Sequence, residues 1–547
     1  MMSVTLTRRA PYISSKVPAS TVKDLTATTG LRLSNSLVND FCGLLEVFED
    51  GLQNVFAQDH DLPVPDLSKY PRTDIHIPAN EKESDKGGWA TRFMLKSMAP
   101  KSKLLEGCTV AIKDNVAVAG VRCTNGTKAI GEWTPEYDAT VITRILDAGA
   151  VITGKAACEN ACMECVSDTS CTGPVHNPYA DGYSCGGSSS GSGRLVGSGA
   201  VDMAIGCDQA GSIRLPSSSC GLVGLKPTWG LVPYSGILGL EARIDHCGPM
   251  TKTVGDNALF LEVIAGRDGI DDRQPSTAPS PSVESLKFSS LLGTFLSSRP
   301  ISELLKGFRI GVLKEGFALP EMESNVSDAV RSAISDLASL GAEVVDVSIP
   351  IHTDIGIIGM CTLPLDGARE DLFADITGRM ALSMIDHAAG PKPKLSQEAF
   401  DALGPSAQNL YMWYLYITKK YGAKLHAKGY NLLRKCSRAY DATLADVDVL
   451  IMPTLPKPPG KILQKSAGTL EYLSRSTAMI SNTSPFNSTG HPALTLPVGF
   501  VPAVEDPSVK LPVGMQIVGK QFGDLDCLKV AAAWESKKNW KECKFGC

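Results

Sequence analysis

A polar stretch between Asp181 and Gly221, centred on Cys185-Gly-Gly-Ser-Ser-Ser-Gly-Ser-Gly193, runs straight into apolar segments at Leu195-Val196 and Ala200 to Ile205. Glycine and serine at this density read most simply as a flexible linker, but a linker seldom leads directly into such apolar sequence. Three site motifs compete for the stretch. A phosphate-binding P-loop needs a lysine after its last glycine, and none follows here. A dinucleotide fingerprint needs G-x-G-x-x-G, whereas Gly191, Gly193 and Gly197 are spaced one residue too wide. The nucleophile elbow G-x-S-x-G is met literally by Gly187-Ser188-Ser189-Ser190-Gly191. That elbow must follow a strand, yet Asp181 to Gly186 is turn-like, and none of His246, His352, His387, His426 and His491 stands in a setting that marks a base.

The flanking sequence alternates between strand and helix patterns. Cys108 to Ile112 is a short apolar strand ending at Lys113-Asp114-Asn115, and Val141, Ile142, Ile145 and Leu146 share a helix face. A Gly149 stop and a strand over 150–153 follow. The pattern recurs as a strand over 308–313, a helix over 326–340 and a strand over 342–347. Strands over 447–452, 492–497 and 513–518 complete an α/β layer. Residues 58–88 read as a connecting arm and 276–298 as a surface loop. Residues 366–440 read as mainly helical, with Tyr411, Trp413, Tyr414 and Tyr416 either lining an apolar pocket or packing helices. Ahead of all this, Leu37, Phe41, Leu44, Leu45, Phe48, Leu52, Val55 and Phe56 recur at helical steps after Ser34-Asn35-Ser36. So apolar a helix face must dock on the body of the chain or on a second copy.

Composition narrows the functional classes. Hydrophobic residues are 43% and charged residues 20% of the 547, which excludes a disordered or coiled-coil chain. The net charge of −5 offers no field that favours nucleic acid, and no apolar run reaches the roughly 18 residues of a membrane span. Residues 1–23 carry Arg8, Arg9, Lys16 and Lys23 and no acid, a faint likeness to a transit segment. Sixteen cysteines in so long a chain read as reduced thiols of a cytoplasmic protein. Cys158, Cys162 and Cys165, with Cys171 and His176 nearby, tempt a zinc reading. Their spacing is that of a helix face rather than of paired C-x2-C knuckles, so small buried thiols account for them and no metal or cofactor is expected.

Several segments in order then resemble the amidase signature family: Gly186-Gly-Ser-Ser189, Asp208-Gln-Ala-Gly-Ser-Ile-Arg214 and Gly221-Leu-Val-Gly-Leu-Lys-Pro-Thr228, joined by Lys113 in Thr109-Val-Ala-Ile-Lys-Asp-Asn115. The resemblance runs from about residue 100 to 530 and includes Met452-Pro-Thr-Leu-Pro456 and Pro512 to Gly519. It implies an α/β fold with a central mixed β-sheet covered by helices on both faces. Residues 1–100 would form an N-terminal extension and helical arm. Residues 101–540 would form the amidase domain, with a core over 104–270 and 440–530 and an α/β and mainly helical substrate-side insertion over 300–440.

The same resemblance implies catalytic roles for Lys113, Ser188 and Ser212. Ser212 would be the nucleophile and Lys113 a base whose amine burial keeps neutral. Ser188, after a cis Gly187–Ser188 bond, would pass the proton between them. Backbone N–H groups of Gln209, Ala210, Gly211 and Ser212 would form an oxyanion hole, and Cys162 would line the acyl pocket or serve as plain core. Ser189 would support Lys113, while Asp208 and Arg214 would hold the loop. Two positions depart from the family: Ser190 stands for a usual glycine, and so does Ala210, whose methyl would resist positive φ. Gln209, Gly230 to Gly236, Ile244 to Pro249 and the helical arm look like the subgroup that acts on small aliphatic and aromatic amides, in which the arm helps form a homodimer. Three other readings stay open: a transamidosome glutaminase subunit, for which Arg369 could hold the α-carboxylate, a biosynthetic amidase of secondary metabolism, and an inactive binding or scaffold homologue.

Overall fold

In the computed structural model, which describes residues 16–27, 29–59, 61–129, 133–281, 283–359, 361–363, 395–464 and 467–546, the chain divides into two units, Met1–Pro63 and Val64–Cys547. The transit-like residues 1–15, Arg369 and His387 lie outside the described residues. The first unit holds helices α1 (Ala19–Ala27) and α2 (Asn35–Phe56). The Ser34 hydroxyl caps α2 by accepting the Leu37 N–H at 3.3 Å, which satisfies one of the orphan donors of the first turn. Val22 and Val38 are buried, whereas Leu37, Phe41, Leu44, Phe48 and Val55 are exposed.

The second unit is built on a twelve-stranded sheet. Its strands are β1 (Arg72–His76), β2 (Trp89–Leu95), β3 (Thr109–Lys113), β4 (Val151–Ala156), β5 (Met203–Asp208), β6 (Val223–Lys226), β7 (His246–Thr251), β8 (Arg309–Leu313), β9 (Glu343–Val347), β10 (Val449–Pro453), β11 (Ala493–Pro502) and β12 (Lys510–Gly519). They lie in the order β1-β2-β4-β3-β5-β7-β6-β11-β12-β10-β8-β9. β3 runs parallel to β4 and β5, and β8 runs parallel to β9 and β10. The other neighbours are antiparallel, so the sheet is mixed, as expected. Its central strands carry apolar side chains on both faces for a simple reason. Successive side chains alternate faces, and both faces are covered. Val110 and Ile112 belong to one buried cluster and Ala111 to another, and Ile205 and Ala204 divide in the same way.

Three expectations about local structure need correction. The supposed arm over 58–88 contains β1, paired to β2. The supposed surface loop over 276–298 folds into a short 3-10 turn and the helix Phe288–Ser297, which buries Phe288 and Leu292. Lys155 and Ala156 end β4, and Asn160–Cys162 form a 3-10 turn rather than part of an α-helix. Left-handed backbone at Ala161 (φ 50°) and Cys162 (φ 56°) rules out a continuous α-helix there. Helices Gln397–Ala402, Pro405–Lys420 and Ala423–Asp446 agree with the helical reading of the described part of 366–440.

Candidate active site

The glycine-rich stretch is packed, and its glycines serve close approach rather than flexibility. Beyond helix α3 (Thr140–Asp147), Ser190–Ser198 forms helix α4 and Arg214–Ser219 forms α5. A Cβ on Gly191 would stand 2.4 Å from Gly88 O and 2.5 Å from Ala157 N, so only glycine lets α4 settle against the neighbouring backbone there. Gly186 presses equally against Leu215 of α5, where a Cβ would be 3.1 Å from the carbonyl carbon. The segments carrying Ser188 and Ser212 are thereby locked together.

Lys113 is the last residue of β3, whose register beside β5 pairs Val110, Ala111 and Ile112 with Met203, Ala204 and Ile205. Its side chain is completely buried. Nζ donates to Ser188 Oγ at 2.9 Å and to the Cys207 carbonyl at 3.3 Å. The Gly187–Ser188 peptide bond is cis, as the resemblance implies. Ser189 does not bond Lys113 directly. Its Oγ donates to the same Cys207 carbonyl at 3.1 Å and accepts the Cys207 N–H at 3.3 Å, so it supports the lysine through a shared acceptor. Burial favours the neutral amine of Lys113, as anticipated. However, negative charge on the cysteine sulfurs around it, Cys162 first, pushes the other way, and the net direction is upward. The expectation of a lysine depressed by burial alone is therefore not met, because it left out these thiols.

Beyond β5 the chain turns through Gln209, Ala210 and Gly211 to Ser212. The N–H groups of Ile213 and Arg214 are taken by Asp208 Oδ2 at 3.0 and 3.4 Å. Those of Gln209, Ala210, Gly211 and Ser212 donate to no acceptor among the described residues. The Ser212 hydroxyl is likewise without a hydrogen bond among them. Gly211 has φ 141°, and a Cβ there would lie 2.0 Å from Leu215 Cδ1 and 2.4 Å from Thr483 Oγ1. Ala210 has no positive φ, so the anticipated conflict of its methyl with the backbone does not arise. Its carbonyl accepts from Thr483 Oγ1 at 2.6 Å. Gln209 Nε2 donates to Tyr234 Oη at 2.8 Å.

Asp208 and Arg214 brace this loop. The Arg214 guanidinium donates to both Asp208 oxygens, at 2.9 and 3.0 Å. It also reaches the Thr483 carbonyl and Gln516 Oε1, each at 2.8 Å, and Asn487 Oδ1 at 2.6 Å. Burial pushes the Asp208 carboxyl up, but Arg214 and the Asn487 amide outweigh it and hold the carboxylate well below its usual range. Losing either partner would strand a buried charge, at a cost of about 3–5 kcal/mol. No role was foreseen for Thr483, Asn487 or Gln516: Thr483 lies in a run of small polar residues, Ser481-Asn-Thr-Ser484, without periodicity, Asn487 just beyond it, and Gln516 in the Pro512 to Gly519 segment of the resemblance.

The departure at Ser190 also has a structural reason. Its hydroxyl donates to Glu159 Oε1 at 2.6 Å, and Thr169 donates to Oε2 through N and Oγ1 at 2.8 and 2.7 Å. Burial nevertheless pushes Glu159 up to about 8, against the pull of Ser190 and Thr169. Glu159 N–H in turn donates to the Ser188 carbonyl at 3.1 Å. Ser190 thus anchors the residue that steadies Ser188. The histidines weighed for the elbow are engaged elsewhere. His352 bonds Tyr440 and Asn482, His491 bonds Thr489 and Asp441, and burial drives His246 well below the ordinary value.

Comparison with known proteins identifies the family of the chain. A model of the family described as Amidase matches residues 90–528. The chain is 42% identical over 438 residues to an enantioselective amidase of Rhodococcus rhodochrous, covering 78% of this chain and 79% of the relative. It is 33% identical to a glutamyl-tRNA(Gln) amidotransferase subunit of Koribacter versatilis, over 79% of this chain and 84% of the relative. Among solved structures, the peptide amidase of Stenotrophomonas maltophilia superposes with a TM-score of 0.62 at 25% identity, over 84% of this chain and 85% of that one. The chain therefore belongs to the amidase family and is a hydrolase of carboxylic amide C–N bonds.

Proposed function

We propose that the chain hydrolyses a small or medium carboxylic amide to the acid and ammonia or an amine, through an acyl-enzyme on Ser212. The observation that carries this reading is the fully buried Lys113–Ser188 hydrogen bond of 2.9 Å, built beside a loop whose N–H groups are uncommitted. A serine hydroxyl is a weak nucleophile without a base in reach. Ser212 Oγ attacks the carbonyl carbon while its proton passes to Ser188 Oγ, and the Ser188 proton passes on to Lys113 in its neutral amine form, the form that burial favours. N–H groups of Gln209 to Ser212 receive the charge that develops on the carbonyl oxygen, where each donor is worth about 10²–10³ in rate. On collapse the proton returns through Ser188 to the leaving nitrogen. Water then repeats the sequence on the ester, with no cofactor or metal.

The subgroup likeness favours simple aliphatic and aromatic amides as substrates. The test is ammonia release by the purified chain, with no partner protein added, from propionamide, benzamide and glutamine. Release from the first two is the expected result. Release from glutamine alone would replace this reading with a glutaminase subunit, and no release from any of them would support a silent homologue.

The exposed apolar face of α2 supports a homodimer, in which a second copy covers Leu37, Phe41, Leu44 and Phe48. The full chain should have the solution mass of a dimer, and a chain starting at Val64, which leaves β1 intact, should be monomeric or aggregate. A full-length monomer by sedimentation would argue against it. Every described cysteine is a free thiol, which supports a reducing, cytoplasmic setting, and the net charge supports no nucleic-acid partner. No helix among the described residues is long and apolar enough to cross a membrane.

A further inference from the structure

The acyl-transfer steps above make no use of the outer side of the helical insertion. Between Pro405 and Tyr440 the sequence has seven lysines and arginines and no aspartate or glutamate, in a chain whose net charge is −5. The stretch forms the helix Pro405–Lys420 and most of the helix Ala423–Asp446, and both helices are two-faced. The first buries Ala407, Leu410 and Ile417, and Ala407 and Leu410 pack in one cluster with Leu240 and with Ala161, the neighbour of Cys162. Its first turn is pinned by Glu164, whose carboxylate accepts from Ser406 N and Oγ at 2.7 Å each. The second buries Gly429, Leu433, Cys436, Tyr440 and Leu444.

The outer faces combine exposed apolar side chains with unopposed charge. On the first helix Met412, Leu415, Tyr416 and Lys419 share one side at helical spacing. Met412, Leu415 and Tyr416 are exposed, as are Trp413 at the edge of that side and Tyr421 just beyond the helix. Lys420 Nζ donates to Tyr416 Oη at 2.7 Å and stands 5.1 and 5.2 Å from the ring centres of Tyr416 and Tyr421. On the second helix Lys424, Lys428, Lys435 and Arg438 form one exposed row. None of the seven cations has an ion-pair partner among the described residues. The acids of that helix, Asp441 and Asp446, come only in its final turns, and Asp441 is tied to His491 at 3.1 Å.

We propose that this outer surface docks on an anionic phospholipid bilayer. Met412, Trp413, Leu415 and Tyr416 enter the headgroup region, and the lysines and arginines meet the lipid anions. Charge and apolarity together select this partner. Cations clustered on a helix surface are drawn to an anionic leaflet, while tryptophan and tyrosine favour the boundary between headgroups and acyl chains. Lysine stems can lie along the apolar layer and still reach the headgroups. The first helix has 16 residues, a length of about 24 Å, and its opposite face is committed to the body of the chain, so it lies along the bilayer rather than across it. A nucleic acid would answer the charge but leave Met412 and Leu415 in water. A second copy on the same face would set seven cations against seven. The proposal concerns where the chain sits and does not depend on which amide it cleaves.

The experiment is cosedimentation of the full chain with vesicles of phosphatidylcholine alone and of equal parts phosphatidylcholine and phosphatidylserine. The chain is expected to pellet with the mixed vesicles only, and to be released as salt shortens the Debye length from about 10 Å to about 3 Å. The triple variant Lys419→Gln, Lys420→Gln, Lys424→Gln should bind about a hundredfold more weakly, at roughly fivefold per cation. The double variant Met412→Ser, Tyr416→Ser keeps every charge and should lose about tenfold or more. Tryptophan emission should shift to the blue on mixed vesicles, and Trp413→Phe should show no shift. Thermal unfolding checks that the variants fold, and the lipid and salt dependence of the wild type stand without them. No binding by the wild type, equal binding to the neutral vesicles, or binding that both multiple variants retain overturns the proposal. Equally tight binding to duplex DNA, unaffected by the double variant, would make the surface a general polyanion site and overturns it too. So does a solution mass that falls in the double variant, which would make the face a contact between copies.

Discussion

Lys113→Arg is expected to hydrolyse simple amides about 10²–10⁴-fold more slowly than wild type, the range that one positioned proton acceptor supplies. Arginine keeps the positive charge and most of the reach of lysine, but its guanidinium does not release a proton inside a protein. In this site the substitution also replaces a compact amine nitrogen that bonds Ser188 and the Cys207 carbonyl at once. Lys113→Ala separates charge and size from proton transfer. It should be similarly poor on amides, while an activated ester, whose leaving group needs little protonation, should still acylate Ser212 slowly. Ammonia release and ester hydrolysis measured side by side on both variants check this. Amide hydrolysis near the wild-type rate by Lys113→Arg would overturn the assignment of the base, and a histidine variant that abolished activity instead would replace it.

Ser212→Ala is expected to lower amide hydrolysis by about 10³-fold or more, because no other hydroxyl can take over the covalent step. The change removes one oxygen atom that bonds no described residue, so stability should shift by less than about 0.5 kcal/mol. Two readouts check the role as well as the rate. An activated ester should leave an acyl group on the wild-type peptide that contains Ser212, and the alanine variant should carry none. Thermal unfolding should be nearly superimposable for the two proteins. A Ser212→Ala protein that still turns over amides at wild-type rate, or that carries the acyl group elsewhere on the chain, would remove Ser212 from the mechanism.

What the sequence shows of this molecule depends on how local the physics is. β3 and α2 are legible because periodicity and capping act over a few residues, and Ser34 does cap the helix. The glycine-rich stretch was legible as a site through its motif order, yet the reason for its glycines was not, since Gly191 answers to Gly88 and Ala157, distant in sequence. The same distance hid the Glu159 partner of Ser190 and the thiols round Lys113. A burial argument applied to one residue misses the charges that other segments bring to it. Local pattern also misled at Ala161 and Cys162, where helical spacing of the cysteines coexists with left-handed backbone. β1 escaped notice because an edge strand whose side chains are largely exposed carries no apolar alternation.

The reach of Arg214 has a consequence for synthesis. Its acceptors at Asn487 and Gln516 lie 273 and 302 residues further along the chain. At about 5–20 residues per second, the guanidinium leaves the ribosome roughly 15–60 seconds before the last of them exists. Until then the Ser212 loop has its nearer braces, Asp208 and Tyr234, but lacks those from Thr483, Asn487 and Gln516. The bracing of the loop that holds Ser212 is thus complete only once the segment carrying Gln516 has been made.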